Sequence, residues 1–119
     1  MEEKIKLITK SIKKKGGSEI VSIDLQSIEN SPCSFFVICN ANSNRQINAI
    51  AKGIEENTIE KFKTKAWHKE GLNTDWVLLD YIDIVIHIFK PETRKFYDLV
   101  GLWGDGSHRF KARCTEAST

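Results

Sequence analysis

The amino-acid sequence predicts an α/β protein in which a mixed β-sheet is flanked by helices. Apolar residues recur every three or four positions in segments near the start, middle and end of the chain, as in amphipathic helices. Between those segments lie short alternating or continuous apolar runs, which are typical of strands. The length of 119 residues, with 40% hydrophobic and 29% charged residues, fits one globular domain. We expect this domain to span residues 1–105 and residues 106–119 to form a flexible tail, because periodicity is lost there.

The first part of the chain predicts one helix and two strands. Isoleucines at helical spacing predict a helix over residues 2–15, which a pair of glycines ends. Residues 19–25 alternate apolar and polar side chains, as a half-buried strand does. The continuous apolar run at residues 34–39 predicts a buried central strand.

The second helix has a recognisable start. The Ser43 hydroxyl can cap the amide three positions later, where Gln46 is placed to complete a capping box. Apolar residues then follow one stripe as far as Phe62, so this face is predicted to be core.

The remainder of the chain predicts a hairpin and a last helix. A short strand is expected at residues 65–70, and two strands at residues 76–79 and 84–89 are joined through residues 80–83. The last helix begins at Pro91, and Trp103 is the last of its predicted core residues.

The second hairpin strand presents two different faces. Alternation places Ile84, Ile86 and Ile88 on one side. The opposite side then carries Asp83, Val85, His87 and Phe89. Because this second face mixes polar and aromatic side chains, we interpret it as a candidate functional face.

Charge and hydropathy restrict the function classes. The net charge of +2 gives no support to a chain that binds nucleic acid mainly through phosphates. The most apolar stretch, residues 76–89, is interrupted by two aspartates and a histidine, so no membrane span is predicted. No secretory signal pattern is visible, and three cysteines without a C-x-x-C pair indicate reduced thiols, so we expect a cytoplasmic protein.

No motif points to catalysis. Asp80 and Asp83 have the oxygen ligands that a divalent cation prefers, but aspartates in turns commonly bond their own backbone, and we favour that role. His68, His87 and the cysteines lack zinc-ligand spacing, and no glycine-rich phosphate loop lies between a strand and a helix. We therefore predict neither a cofactor nor a metal.

Aromatic residues are the remaining candidates for function. Tryptophan and tyrosine are enriched at protein interfaces, although several of these rings must also fill the core. The set consists of Trp67, Trp76, Tyr81, His87, Phe89, Tyr97 and Trp103. A protein-binding surface is thus the leading interpretation from the residues alone.

The segment WVLLDYIDIVIHIFKPETRKFYDLVGLWGD resembles the signature block of the Iojap, or ribosomal silencing factor (RsfS), family. Upstream, SFFVICNANSNRQINAIAKGIEE is similar to the strand, S-x-R segment and helix of that family, with Ser43, Arg45 and Gln46 in matching places. The resemblance covers about residues 5–105. Two departures are Ile82, where the family usually has glycine in the turn, and Val100, where it commonly has glutamate.

The resemblance implies a fold and a function. The fold would be nucleotidyltransferase-like, a mixed sheet flanked by helices without the catalytic apparatus of those enzymes. Such proteins bind the large ribosomal subunit through its ribosomal protein number fourteen, block joining of the small subunit and so repress translation under nutrient limitation. A homodimer is a further expectation from relatives, whereas sequence-specific nucleic-acid binding is not expected.

We expect the hairpin and the last helix to supply the partner-binding residues. The predicted aromatic anchors are Trp76, Tyr81, His87 and Phe89, with Tyr97 and Trp103 nearby. Asp80, Asp83 and Arg94 are predicted to orient these rings or to meet charges on the ribosomal protein. His87, if exposed, would make binding depend on pH between about 6 and 7.5.

Two alternatives stay open at this point. Asp80 and Asp83 could hold Mg²⁺ in a nucleotidyltransferase-like enzyme that binds nucleoside triphosphates. The basic run at residues 108–113 could bind ribosomal RNA, although a flexible tail is the favoured interpretation.

Overall fold

The computed structural model describes residues 2–31, 33–96 and 113–116 and contains a six-stranded sheet and three helices in that part of the chain. The elements are α1 (Glu2–Lys14), β1 (Ser18–Asp24), β2 (Phe35–Asn40), α2 (Asn44–Phe62), β3 (His68–Glu70), β4 (Trp76–Asp80), β5 (Ile84–Phe89), α3 (Pro91–Phe96) and β6 (Arg113–Glu116). The strand order is β3-β4-β5-β2-β1-β6. Only β2 and β5 pair in parallel among these strands, so the predicted mixed sheet flanked by helices is confirmed.

The main core lies between one sheet face and the two long helices. All six residues of β5 are buried, and its isoleucines at 84, 86 and 88 pack with the inward faces of α1 and α2. Ile8 and Ile12 of α1 are buried in the same cluster, as the helical spacing predicts. The parallel β2–β5 pair is thereby fixed at the centre of the sheet.

The other sheet face carries a second apolar cluster. Val85 and Phe89 of β5 lie there beside Phe36 and Ile38 of β2 and Ile23 of β1. Residues from the β1–β2 connection also belong to this cluster, namely Leu25, Ile28 and Cys33. The predicted division of β5 into two faces is confirmed, but both faces are buried.

The start of α2 follows the capping prediction with one difference. Ser43 Oγ accepts the Gln46 N–H at 3.1 Å, as in a capping box. The Gln46 side chain accepts the N–H of Asn42 at 2.6 Å, one residue before the expected partner. Its Nε2 also donates to the carbonyl oxygen of Lys15 at 3.2 Å, so Gln46 holds the end of α1 against the start of α2.

A strand at Arg113–Glu116 differs from the prediction of a tail without regular structure. Its residues pair antiparallel with β1, with Val21 opposite Glu116 and Asp24 opposite Arg113. Strand β1 would otherwise be an open sheet edge, and pairing satisfies its backbone groups. Residues 106–112 and 117–119 lie outside the described residues, as do most residues of the predicted last helix after Phe96.

Two cysteines lie in the protein interior. Cys33 and Cys39 are free and buried, and burial raises the pKa of their thiols to about 11 and about 12 respectively. Such thiols stay protonated near neutral pH and are poor nucleophiles.

In the part of the chain that the structure describes, no helix has the length and apolar character needed to cross a bilayer.

Candidate partner-binding surface

The turn between β4 and β5 is tight and bonded internally. The N–H of Tyr81 donates to the Ile84 carbonyl at 2.8 Å, so Ile82 and Asp83 are the two central residues. Asp80 Oδ1 accepts the Ile82 N–H at 2.7 Å, as turn aspartates commonly do. The turn role favoured for Asp80 is therefore confirmed, and this carboxylate fixes the local backbone.

Asp83 joins the same turn to other elements. Its main-chain oxygen accepts the N–H groups of Ser34 and Phe35 at 2.9 and 3.1 Å, which ties the turn to the start of β2. Its Oδ2 lies 3.9 Å from Lys4 Nζ of α1, whereas its buried Oδ1 has no hydrogen-bond partner among the described residues. Within residues 2–31 and 33–96 no group of three His, Cys, Asp or Glu side chains is placed to hold a metal ion.

Trp76, His87 and Phe89 form an aromatic stack on the second sheet face. The rings of Trp76 and Phe89 are stacked with centroids 4.9 Å apart, and those of His87 and Phe89 are nearly parallel at 6.0 Å. Phe36 meets the His87 ring edge-on at 4.9 Å. The predicted association of Trp76, His87 and Phe89 is therefore present, as an internal stack.

His87 is buried, which corrects the prediction of an exposed, charge-coupled imidazole. Only 4% of the residue is exposed, because its strand has neighbours on both sides and Phe36 covers the ring. Trp76 Nε1 donates to His87 Nδ1 at 3.1 Å, so the neutral ring carries its proton on Nε2, for which the described residues provide no acceptor. Burial lowers the pKa of His87 to about 4, and the ring is therefore neutral near pH 7.

Tyr81 and Phe89 also differ from the prediction of aromatic anchors for a partner. Tyr81 lies on the helix side of the sheet, is 7% exposed, and its hydroxyl is 2.9 Å from Thr58 Oγ1 of α2. Burial raises the pKa of this phenol. Phe89 is fully buried in the second cluster. Both rings are therefore core residues, Tyr81 in the cluster beneath the helices and Phe89 in the cluster on the opposite sheet face.

Arg94 orients strands rather than the aromatic rings. It lies on α3, which Pro91 begins as predicted, and its Nη1 donates to the Glu19 carbonyl at 2.5 Å and to Asn40 Oδ1 at 2.9 Å. The guanidinium thus holds α3 against the ends of β1 and β2. Tyr97 and Trp103, the other two predicted contact residues of the last helix, lie outside the described residues.

Two exposed apolar side chains stand at the hairpin turn. Ile82 is 65% exposed and has a φ of 75°, an uncommon conformation for a β-branched residue. Trp67 is 71% exposed, and its N–H donates to the Asp80 carbonyl at 2.8 Å. We call Trp67, Asp80, Ile82 and Asp83 the hairpin tip. An isoleucine between two turn aspartates was the sequence signal for an exposed apolar group here.

Comparison with known proteins decides the family. The model of the family described as "Ribosomal silencing factor during starvation" matches residues 1–118. The chain belongs to this family. The resemblance inferred from the sequence is thereby confirmed.

Similar proteins occur in bacteria and plants. A ribosomal silencing factor of Zymomonas mobilis is 40% identical over 104 residues, which cover 86% of this chain and 76% of that protein. The factor of Bacillus subtilis is 32% identical over 105 residues, with 85% of each chain covered. The chloroplastic protein Iojap of Zea mays is 38% identical over 73 residues, or 61% of this chain and 32% of the plant protein.

Solved structures support the same fold. A crystal structure of a Chromobacterium violaceum protein has a TM-score of 0.80 at 27% identity and covers 92% of this chain and 90% of its own. A crystal structure from Bacillus halodurans has a TM-score of 0.74 at 29% identity, with coverages of 87% and 95%. The α/β fold with its mixed sheet therefore holds for this ribosomal silencing factor family member.

Proposed function

We propose that this ribosomal silencing factor binds the large ribosomal subunit through ribosomal protein number fourteen and sterically prevents joining of the small subunit. Support comes from family membership and from the named relatives in bacteria and chloroplasts. Anti-association needs no chemical step, only a stable body and one anchored patch. An interface of standard size, about 800 Å² on each partner, fits a domain of this size.

The hairpin tip is the observation that carries the proposal. Its two large apolar side chains, Trp67 and Ile82, are exposed beside two carboxylates, a combination that suits a protein surface with apolar and basic groups. The tip is held by the Ile82 N–H, which donates to Asp80 Oδ1, and by the N–H groups of Ser34 and Phe35, which donate to the Asp83 carbonyl oxygen. A preorganised tip binds with less loss of conformational entropy than a mobile loop would.

Trp76 is a second contact candidate at the other end of β4. It is half-buried, and its indole is fixed by the bond to His87 and the stack on Phe89. The buried members of the predicted set thus act as support for Trp76. This is a positioning role, and it replaces the direct contacts predicted for His87 and Phe89.

Sedimentation with purified ribosomal subunits tests the proposal. The wild-type protein should cosediment with large subunits, and small subunits added afterwards should fail to form whole ribosomes. Trp67→Ala should weaken binding at least tenfold, the loss of about 1.4 kcal/mol or more that a central interface tryptophan typically gives. Leu72→Ala is the matched control, because Leu72 is 47% exposed in the β3–β4 connection outside the tip.

The outcomes separate the function from the contact residues. Absence of binding by the wild-type protein would refute the proposal as a whole. Equal binding by Trp67→Ala and Leu72→Ala, with both proteins folded, would place the contact outside the hairpin tip.

A further inference from the structure

Basic residues are concentrated in two short segments of the chain. Residues 4–18 contain six lysines and no acidic residue, and residues 41–54 contain Arg45 and Lys52 and no acidic residue. The rest of the chain then holds ten basic and 16 acidic residues. The net charge of +2 therefore conceals a strongly uneven distribution of charge.

Packing of α1 on α2 brings the two basic segments together. The side chain of Lys15 lies against Gly53, with Cε 3.5 Å from the position that a Cβ would occupy there. Gln46, next to Arg45, donates to the Lys15 carbonyl, and Asn57 Nδ2 donates to Ser11 Oγ at 2.7 Å. These contacts set the register of the two helices. The resulting basic surface consists of Lys10, Lys14, Lys15, Arg45 and Lys52, all exposed.

The charges of the basic surface are not neutralised within the part of the chain that the structure describes. None of its five side chains forms an ion pair there, and Glu56, one turn after Lys52, makes none with it. Four other lysines do form such pairs, namely Lys4 with Asp83, Lys6 with Glu2, Lys69 with Glu55 and Lys90 with Asp75. The positive potential of the surface is therefore directed to solvent.

Helix stability explains only some of these charges. Lys14 lies in the last turn of α1, where a positive charge favours the helix dipole. Arg45 lies in the first turn of α2, which has no acidic residue, and a positive charge at this end opposes the dipole. Arg45 thus weakens its own helix slightly, and a partner with negative charge would offset that cost.

We infer that the basic surface binds the phosphate backbone of RNA. Residues 4–18 and 41–54 contain no aromatic side chain to stack on bases, so the contact is with phosphates and independent of sequence. An anionic membrane is the less suitable partner, because peripheral binding also needs exposed apolar side chains. The exposed large apolar residues of the described chain are Ile59, Trp67, Leu72 and Ile82, and none lies on α1 or between residues 44 and 58 of α2.

The RNA available to this surface is ribosomal RNA, and that assignment rests on the proposed function. The affinity for RNA itself does not, because it follows from the charges and their exposure. The two properties can therefore be measured separately.

Fluorescence anisotropy with a labelled RNA duplex of arbitrary sequence tests the inference on the full chain. The variant Lys15→Gln/Lys52→Gln removes two charges from the basic surface. Lys61→Gln/Lys65→Gln removes the same charge from two exposed positions, one in the last turn of α2 and one three residues beyond its end. Lys61 is nine residues beyond Lys52, about 14 Å along the helix axis, which exceeds the Debye length of about 10 Å at 0.1 M salt.

The expected result is a local and salt-dependent loss. Loss of two phosphate contacts should weaken RNA binding by about 10- to 100-fold at 0.1 M KCl and reduce the slope of log K against log salt by up to about two. The control variant should stay within about twofold of wild type. Equal losses in both variants, or no RNA binding by wild type at 50 mM KCl, would overturn the inference.

Two further measurements separate the alternatives. Binding to vesicles of mixed phosphatidylserine and phosphatidylcholine as tight as binding to the duplex would overturn the choice of RNA as partner. Binding to large subunits without binding to the duplex would overturn this inference and leave the proposed function intact. Duplex binding without binding to large subunits would support this surface and refute the proposed function.

Discussion

Acidification should weaken the fold through His87. In the folded chain burial lowers the pKa of this ring to about 4, from an ordinary value of 6.5. Between these two pH values the unfolded chain binds a proton that the folded chain does not. The free energy of unfolding therefore rises with pH across this window and falls as the pH drops from 6.5 toward 4.

The magnitude follows from the width of the window. At about 1.36 kcal/mol per pH unit, complete titration corresponds to about 3 kcal/mol. That is a large share of the roughly 5–15 kcal/mol by which small domains are stable. The hydrogen bond from Trp76 also favours a lowered pKa for His87, because a proton on Nδ1 would face the Trp76 N–H that donates to this atom in the folded chain.

Urea unfolding between pH 7.5 and 4.5 measures the effect, with His87→Asn as the non-titrating variant. The asparagine oxygen can accept the Trp76 N–H, and the stability of the variant should depend less steeply on pH by up to about 1.4 kcal/mol per unit below pH 6. Val85→Ala, on the same strand face, is the control, because it removes buried methyl groups without removing a titrating group. Its curve should be lower than that of wild type and parallel to it.

A specific result would refute the reasoning. If wild type and His87→Asn have parallel curves from pH 6.5 to 4.5, the ring titrates alike in folded and unfolded chains. His87 would then be accessible to water, and its proposed role in supporting Trp76 would also fail.

Two further predictions concern the hairpin and its support. Ile82→Gly should raise the free energy of unfolding by about 0.5–1 kcal/mol in urea titrations. Glycine adopts a φ of 75° without strain, and this relief outweighs the conformational entropy that glycine adds to the unfolded chain. Ile82→Ala keeps the strained backbone, so equal stabilisation by both variants would contradict the argument. Tyr81→Phe should cost about 1 kcal/mol by removing the hydroxyl bonded to Thr58, and a double-mutant cycle with Thr58→Val should show coupling of similar size. Additive effects in that cycle would show that the two hydroxyls do not interact.

Local patterns predicted the elements well because they act over a few residues. The Ser43 and Gln46 pair located the start of α2, and Pro91 located that of α3. The alternation in β5 correctly divided its residues between two faces. Strand β3 is shorter than its predicted range, because the pairing with β4 that defines it is a tertiary contact.

Burial could not be predicted in the same way, because it depends on what covers each face. His87 and Phe89 were assigned to an exposed mixed face, but Phe36 and Trp76 pack on them from neighbouring strands. Strand β6 was missed for a similar reason, since Arg113–Glu116 is a strand through its pairing with the distant β1. The exposure of Trp67 likewise depends on its place beside an edge strand.

Helix α1 relates the two proposed binding surfaces. Its Lys4 lies beside Asp83 of the hairpin tip, whereas Lys14 and Lys15 belong to the basic surface. Ten residues separate Lys4 from Lys14, about 15 Å along a helix. Because α1 is packed against α2, the spacing between Lys4 and Lys14 is rigid. Both surfaces can therefore contact one large partner without loss of conformational entropy in a linker between them. If both proposals hold, contact with ribosomal protein at one end and with ribosomal RNA at the other would oppose tilting of the bound domain and so favour steric exclusion of the small subunit.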